Sequence, residues 1–400
     1  MQTETPPRPI DPKVVVILGI ATASGALCVD MYLPAFPVIA ADLKTTPAEV
    51  QLSLVSYFVT LAIGQLFYGP VSDRIGRKGP MLFGFLLLTI ASIGCALSTS
   101  PGAFIGFRAL QGAGACGAVA LGRAIVRDLH TGADAAKVLS LVMLVLGVSP
   151  VLAPLLGSAL LHLFSWRASF WFITIVGGAC FLMVAFFLKE TLEPERRTAG
   201  VSAALASYGE LLRSPTFLGT ALVSGLSQAG FFAYLAGSAF VFITVYGLAP
   251  SVFSLVFAAN AVALIGTAQF VAQLIRRFGA SRLVRAACIG MAVIATVLTI
   301  ATAAHLAPLW ATFVLVFLTI ACMGLINAPT AVIAMEPYPT IAGAASALMG
   351  TLQFACGAAA ATVTSLLADG TALPMTAVMA GCGILGLILS QLVLRSERTA

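Results

Sequence analysis

Residues 168–188 read ASFWFITIVGGACFLMVAFFL, a stretch without a single charged side chain that is bounded by Arg167 and Lys189. The hydrocarbon core of a bilayer is about 30 Å thick, and a helix needs about 20 apolar residues to cross it. This stretch is therefore long enough to span a membrane. The fold class depends on how many other apolar segments of this length the chain contains.

The whole chain has the same character. Of its 400 residues, 60% are hydrophobic and 9% are charged, and the mean hydropathy is +1.04. Soluble domains carry about 25% charged residues, so a soluble globular protein is excluded. A disordered chain is excluded as well, because disorder requires few apolar residues and many charges. The sequence therefore predicts an all-α membrane protein.

Charges, Pro/Gly clusters and polar runs divide the chain into apolar segments of membrane-spanning length. The first segment is too long for the apolar region of a signal peptide, which has about 7 to 15 residues. We therefore predict twelve spans, at 14–39, 50–71, 79–98, 102–125, 137–162, 166–188, 216–246, 252–275, 282–303, 308–334, 342–367 and 374–394.

The longest polar connection, residues 189–215, divides the spans into two groups of six. A weak internal echo supports two related halves: Asp73-Arg74-Ile75-Gly76 follows the second span, and Arg276-Arg277-Phe278-Gly279 follows the eighth. The predicted parts are an N-terminal tail (1–13), a first six-helix bundle (14–188), a linker (189–215), a second six-helix bundle (216–394) and a C-terminal tail (395–400).

The basic residues outside the spans predict the orientation. If the N-terminus is cytoplasmic, nearly all of them fall in the tails and in the loops on the same side, and only Lys44 and Arg167 fall opposite. Loops rich in Lys and Arg remain in the cytoplasm. We therefore expect a bacterial inner-membrane protein with both termini in the cytoplasm.

Asp30 in the first span and Arg108 in the fourth are the clearest ionisable residues that lie well inside a span. Such a residue costs about 2.5 to 3.5 kcal/mol at the centre of a helix, and it usually has a function. Asp30 is a candidate proton carrier, and the alternatives are a fixed ion pair or a packing hydrogen bond. Arg108 is a candidate for substrate contact, for tuning the proton on Asp30 or for bracing helices.

Residues 69–78, GPVSDRIGRK, form a glycine-punctuated turn with one acid and three bases. Glycine permits a tight turn, and an acid is favoured at a neighbouring helix N-terminus, so we expect Asp73 to accept hydrogen bonds there. In the fifth span, Gly147, Pro150, Pro154 and Gly157 predict a bent helix with a close neighbour.

Polar and aromatic residues inside the spans are candidates for the lining of a substrate cavity, although each could instead make an interhelical contact. They are Tyr32, Tyr57, Gln65, Gln111, Gln228, Phe231, Tyr234, Asn260, Gln269, Asn327, Gln353 and Phe354.

Other kinds of chemistry find no support in the sequence. His130, His162 and His305 are far apart, and the cysteines have no metal-type spacing, so no metal site is expected. The sequence contains neither a phosphate-binding glycine-rich loop nor a ring of polar residues that would line a channel. We expect no enzyme activity, no cofactor and no nucleic-acid partner, and we expect a monomer.

At these motifs the sequence resembles the major facilitator superfamily, and within it the Bcr/CflA group of drug:proton antiporters. Residues 69–78 resemble the superfamily's loop motif, and residues 108–115, RALQGAGA, resemble the fourth-span motif linked to proton coupling. Residues 147–157 resemble the antiporter motif of the fifth span, with Ala153-Pro154 replacing the usual Gly-Pro. Residues 30–37 and 234–242 point to the Bcr/CflA group.

The resemblance implies two pseudo-symmetric bundles that alternate around a central cavity and exchange amphipathic drugs for protons. Phenicols, bicyclomycin and sulfonamides are the implied substrates, and the proton gradient is the implied energy source. Asp30 matches an acid that takes up protons in such exporters. Asp73, Arg77 and Asp128 match a charge cluster that holds the halves together in the outward-facing state, and Gly69, Arg74 and Gly76 complete that motif.

The sequence departs from the pattern at one place. Some related exporters carry a second acid two turns before the Asp30 position, where this chain has Thr22. The departure favours neutral or zwitterionic substrates over cationic ones. The alternative function within the same class is export of a native metabolite with incidental drug transport.

Overall fold

The computed structural model describes residues 12–129, 132–197 and 201–394. Its helices include twelve that are long and apolar enough to cross a membrane, so the predicted number of spans is confirmed. The predicted tails lie outside the described residues, except that Pro12 and Lys13 begin the first helix.

Within the described residues the chain forms α-helices and no strand. The first half contains α1 (Pro12–Asp30), α2 (Phe36–Asp42), α3 (Pro47–Ile75), α4 (Lys78–Leu97), α5 (Pro101–Leu129), α6 (Gly132–Leu163) and α7 (Trp166–Phe187). A linker helix, α8 (Val201–Arg213), follows. The second half contains α9 (Pro215–Ala239), α10 (Pro250–Gln269), α11 (Val271–Phe278), α12 (Ala280–Ala303), α13 (Leu309–Gly324), α14 (Asn327–Met335), α15 (Ala342–Leu366) and α16 (Leu373–Val393).

Each group of six spans packs mainly against itself. In the first half α5 packs against α3 and α4, and α1 packs against α6; in the second half α9 packs against α15 and α16. The two groups meet along two lines, where α3 packs against α15 and where α6 packs against α10. Contacts along these two lines must therefore change when the halves move relative to one another.

Two predicted spans are interrupted where proline removes a helical hydrogen bond. The first span stops at Asp30, passes through a 3-10 turn (Leu33–Ala35) that contains Pro34, and resumes as α2 with Pro37 near its start. The tenth stops at Gly324 and resumes at Asn327, because Pro329 has no amide hydrogen for the carbonyl of Leu325. The seventh ends in a π-helix (Phe240–Val245).

The linker differs from its prediction as a polar connection, since α8 occupies nearly half of it. Its apolar residues Ala204, Tyr208 and Leu211 recur at the spacing of one helix face and pack against the second half. In the sequence, the charged residues at 189–197 and Arg213 make the whole segment look polar, so the amphipathic pattern of α8 is easily missed.

The loop motif that is repeated in the two halves also repeats its backbone conformation. Helix α3 is followed by Gly76 at φ 102°, and α11 is followed by Gly279 at φ 82°. Only glycine adopts such angles easily. We call the end of the bundle that carries Arg74, Arg77, Arg276 and Arg277 the basic end, and the end that carries Asp42, Arg167 and Asp369 the opposite end.

Candidate functional site

Asp30 is the last residue of α1 and lies where the first span is interrupted. Its side chain is buried, with 6% of the residue exposed. No other described residue forms a hydrogen bond or an ion pair with its carboxyl group. The 3-10 turn that follows Asp30 (Leu33–Ala35) packs against α9 and α10 of the second half. The carboxyl group therefore lies close to the boundary between the halves.

Arg108 is fully buried among aromatic rings and neutral oxygens. Its Cζ lies 4.3 Å from the centre of the Tyr32 ring and 4.6 Å from that of Tyr57. Its Nη1 donates to the carbonyl of Cys28 at 2.9 Å and also to Oε1 of Gln111. Nε and Nη2 have no hydrogen-bond partner among the described residues. The aromatic faces stabilise the cation, by about 2 kcal/mol where water is excluded.

Asp30 and Arg108 do not form an ion pair in the described structure. No hydrogen bond or ion pair among the described residues therefore couples the two groups directly in this state. Nε and Nη2 together carry three N–H groups that have no hydrogen-bond partner among the described residues.

Tyr32 and Gln111, two residues predicted to line the cavity, belong to the surroundings of Arg108. Both are fully buried. The Tyr32 hydroxyl lies 3.2 Å from Oγ of Ser53, and Nε2 of Gln111 donates to Oγ of Ser92 at 2.7 Å. In this state neither residue faces an open space.

Aromatic rings close the centre of the molecule between the halves. Phe58 of α3 stacks on Phe232 of α9 with 3.9 Å between ring centres and an interplanar angle of 12°. Phe354 of α15 lies 5.7 Å from Phe232. Tyr234 is fully buried, stacks on Phe257 of α10 with 5.7 Å between ring centres, and accepts a hydrogen bond from Nδ2 of Asn260 at 2.9 Å. These contacts must change if a molecule passes through the centre.

The second half contains a neutral polar cluster that joins α9, α14 and α15. Ser224 donates to Oδ1 of Asn327 at 3.0 Å and accepts from Nε2 of Gln353 at 2.7 Å. Nδ2 of Asn327 donates to Oε1 of Gln228 at 3.2 Å. Asn327, Gln353 and the neighbouring Phe231 are half-buried. These three predicted cavity residues are thus more accessible than Tyr32, Gln111 and Tyr234.

The charged loop after α3 is organised by Arg77. Its Nη1 lies 2.5 Å from Oδ1 of Asp73, and its Nε lies 2.8 Å from Oδ2 of Asp128. Nη1 also donates to Oγ of Ser72 at 2.6 Å, while Arg74 is exposed and Gly69 lies in the last turns of α3. All of these partners belong to the first half. Within the described part of the chain, no contact of this cluster reaches the second half.

Glu190, not Asp73, is the acid that lies at a helix N-terminus. Its carboxylate accepts hydrogen bonds from the backbone N–H groups of Arg77 and Lys78, where α4 begins, at 2.8 and 3.2 Å. Burial alone raises the pKa of Glu190, but these N–H groups, together with those of Thr191 and Leu192, outweigh burial and lower the pKa below its usual 4.5. The prediction for Asp73 failed because Arg77, one helical turn away, is its nearer partner.

The proline motif of the fifth span lies in a continuous helix at the boundary with α1 and α10. A Cβ at Gly157 would overlap the carbonyl oxygen of Met31, and one at Gly147 would touch Ile265 at 3.6 Å. The carbonyl of Pro154 accepts a hydrogen bond from Oγ of Ser254 at 2.9 Å. Pro150 lies between these contacts without breaking α6. The motif therefore forms close contacts with both halves.

A cavity of about 370 Å³ separates the halves at the basic end. Asp73 and Arg77 line one side, Thr340 and Ala344 line the side nearest α15, and Tyr208 of α8 lines it as well. At the opposite end the halves are in contact, since Ser365 donates to the carbonyl of Ala48 at 2.8 Å. A second cavity, of about 800 Å³, lies between the halves at the opposite end, where Val38 and His162 of the first half face Pro250 of the second. The halves are therefore in contact at the opposite end but leave a cavity at each end.

A comparison with protein families identifies the architecture. The family profile described as Major Facilitator Superfamily matches residues 18–361. The chain belongs to the major facilitator superfamily. The resemblance found from the sequence motifs is thereby confirmed, and so is the fold class.

Relatives of this superfamily member cover nearly its whole length. An uncharacterized MFS-type transporter, YdgK of Bacillus subtilis, is 38% identical over 92% of both chains. A bicyclomycin resistance protein homolog of Haemophilus influenzae is 29% identical over 94% of both. A chloramphenicol resistance protein of Pseudomonas aeruginosa is 33% identical over 68% of this chain and 64% of its own. These names agree with the Bcr/CflA resemblance.

A solved structure also shares the superfamily fold. The crystal structure of a D-xylose-proton symporter has a TM-score of 0.73, covers 94% of this chain and 95% of its own, and is 16% identical. At that identity it supports the fold alone. Together the comparisons indicate a multi-pass membrane transporter rather than an enzyme.

Sequence analysis of this transporter missed three residues that the structure brings into the site. Glu190 follows a long apolar span, and its place beside Lys189 made it look like an ordinary boundary charge. Tyr208 lies in the linker, where the apolar spacing of α8 could have indicated a packed helix. Ser224 gave no signal, because a lone serine in a span usually bonds its own helix.

Proposed function

We propose that this transporter exports small amphipathic drugs across the bacterial inner membrane in exchange for protons, by alternating access. The relatives named for bicyclomycin and chloramphenicol resistance support drugs as substrates. Asp30 is the proposed proton carrier, Arg108 influences its protonation, and the proton gradient is the energy source.

The observation that carries this proposal is the buried, unpartnered carboxyl group of Asp30 at the interruption of the first span. A buried carboxyl group without a cation binds its proton firmly, whereas contact with water or a cation releases it. The turn that follows Asp30 packs against α9 and α10 of the second half, so a change in the relative position of the halves changes the surroundings of Asp30. Alternating access can therefore load the proton in one state and release it in the other.

Arg108 is suited to tune that proton without neutralising it permanently. A direct ion pair would hold Asp30 ionised in every state. The rings of Tyr32 and Tyr57 instead keep the cation in place, 4.3 and 4.6 Å from their centres. Small movements of either tyrosine with its helix would change how strongly the positive charge acts on Asp30.

The proposed substrates are neutral or zwitterionic, of the phenicol, bicyclomycin or sulfonamide type. Phe231 and the amides of Gln228, Asn327 and Gln353 form a half-buried surface of neutral hydrogen-bonding groups. Thr22, at the position of the second acid of some related exporters, donates to its own helix at the carbonyl of Leu18. This surface would recognise polar groups on an uncharged molecule rather than a cation.

The proposed orientation places the basic end in the cytoplasm together with both termini, since Lys and Arg are retained there. The 370 Å³ cavity then opens to the side from which an exporter collects its substrate. Asp73, Arg77 and Asp128 would join the two halves only after that cavity closes. Gly147, Pro150, Pro154 and Gly157 would keep α6 close to α1 and α10 during the motion.

Asp30→Asn tests the proposal in everted membrane vesicles. We expect uptake of chloramphenicol driven by a pH gradient to be lost, because an amide cannot carry the proton. Exchange of labelled for unlabelled drug without a gradient should persist, since that exchange needs no net proton movement. Asp369→Asn, the same change at an exposed residue of the opposite end, should leave both activities unchanged.

Gradient-driven uptake by Asp30→Asn at the parental rate would refute Asp30 as the carrier. Absence of any drug exchange by the unmodified protein, tested with phenicols, bicyclomycin and sulfonamides, would refute the substrate class and favour a native metabolite.

A further inference from the structure

The linker helix α8 belongs structurally to the second half. Tyr208 and Leu211 are buried in a cluster with Phe217, Ala345 and Leu348 of α9 and α15. Leu205 and Leu212 on the other side of the helix are exposed. A helix anchored in this way moves with the second half when the halves rock.

A hydrogen bond from Tyr208 connects α8 to the first half. The hydroxyl of Tyr208 donates to the backbone carbonyl of Leu66 in α3 at 3.2 Å. Backbone carbonyls inside a helix normally accept from the residue four positions later. For Leu66 that residue is Pro70, which has no amide hydrogen. The acceptor is therefore a carbonyl that its own helix leaves free.

Tyr208 is well suited to this bond. The residue is 7% exposed, and burial raises the pKa of its hydroxyl to about 12, so it remains a proton donor at physiological pH. It lines the cavity at the basic end together with Asp73 and Arg77 of the first half. The bond thus crosses from one half to the other at the edge of the cavity.

We propose that Tyr208 is a positioning residue of the transport cycle, which holds the basic end open by donating to the carbonyl that Pro70 leaves free. Closing this end requires the end of α3 to approach the start of α15 and the cavity between them to disappear. Because α8 forms part of the cavity wall, it must shift, and the bond to Leu66 must break. This role depends on the alternating access of the proposed function, but not on the identity of drug or ion.

The expected effect follows from the strength of one hydrogen bond. Loss of a single neutral bond changes an equilibrium between two states by about two- to tenfold. Tyr208→Phe removes only the hydroxyl and keeps the buried ring. The variant should therefore spend less time open at the basic end while it remains folded.

The experiment measures how quickly a charged maleimide labels a cysteine introduced at Ser346, which lines the cavity. The native cysteines are buried or half-buried, and the protein without the added cysteine gives their background. We expect Tyr208→Phe to slow labelling about two- to tenfold without drug or gradient. The matched control is Tyr338→Phe at the same end, where the ring packs against Phe217, and it should label at the parental rate.

A second variant tests the acceptor. Pro70→Ala restores the amide that bonds Leu66 within α3, so it should slow labelling as Tyr208→Phe does. Combining the two changes should add little to either one. Parental labelling in Tyr208→Phe would overturn the proposal, and so would independent, additive effects of the two changes. Labelling needs no transport, so failure of the drug assay with Asp30→Asn leaves this result interpretable.

Discussion

The two halves share a helical plan but differ in what they bury. The first half encloses a carboxyl group at Asp30 and a guanidinium at Arg108, both without an ionic partner among the described residues. The second half has no Asp, Glu, Lys or Arg between residues 286 and 335, and its polar cluster consists of amides and a hydroxyl. We infer that repetition of a fold leaves each half free to take on different chemistry.

The two echoed loops differ in the same way. At Gly76 the carboxylate of Glu190 occupies the space where a Cβ would lie, and it binds the start of α4. At Gly279 nothing lies within 4 Å of that space. The backbone conformation is repeated, whereas the anion is found in the first half. The two halves share the turn, and the first half has the charge cluster in addition.

The largest effect should be that of Arg108→Gln in the first half. It is compared with Asn327→Ala in the second half, each as a single variant. Arg108→Gln should abolish pH-driven drug uptake into everted vesicles, and Arg108→Lys should not restore it, since an ammonium group cannot stack flat between two rings. Asn327→Ala should weaken the apparent affinity by about two- to tenfold, the value of one hydrogen bond, without changing the maximal rate.

The proposed difference between the halves would be wrong if Arg108→Gln changed only the affinity for the drug and Asn327→Ala abolished the dependence of uptake on the gradient. Melting temperatures of the purified variants would establish that both remain folded.

A smaller effect should separate the two glycine loops. Alanine in a left-handed conformation costs about 1 to 2 kcal/mol, so Gly76→Ala and Gly279→Ala should both lower stability. Gly76→Ala should cost more, by about 1 kcal/mol or less, because it displaces the carboxylate of Glu190 from its N–H donors and solvent screens that carboxylate. Thermal unfolding in detergent would measure the difference. Equal losses at the two positions would show that Glu190 contributes nothing to the loop.

The smallest effect concerns pH. The pKa of Glu190 is lower in the folded protein than its usual 4.5, so its contribution to stability is present above that value and lost as pH falls through the lower, folded value. Wild type and Glu190→Gln should therefore differ in Tm at neutral pH and converge in acid. The carboxylate is largely solvent-screened, so the shift should be small. A gap that widens in acid would contradict the assignment.

The sequence predicted the twelve spans closely, because apolar length is a local property. The structure interrupts the first and tenth spans near prolines, and it forms α8 within the linker that the sequence presents as polar. Asp30 and Arg108 were recognisable because charges inside spans are rare. The role of Asp73 at a helix N-terminus was wrong, since the carboxylate found there comes from Glu190, which is 113 positions from Arg77.

By itself, the sequence determined that this chain resides in a membrane as twelve helices, because water cannot solvate so much apolar surface. It also determined which few charged groups enter the bilayer. Only the tertiary structure decided which contacts form: Arg108 lies beside two tyrosines from other helices, Glu190 binds the start of α4, and Tyr208 reaches a carbonyl freed by Pro70. Such contacts join residues that are far apart in the chain, and they depend on how helices pack, which no local pattern of residues specifies.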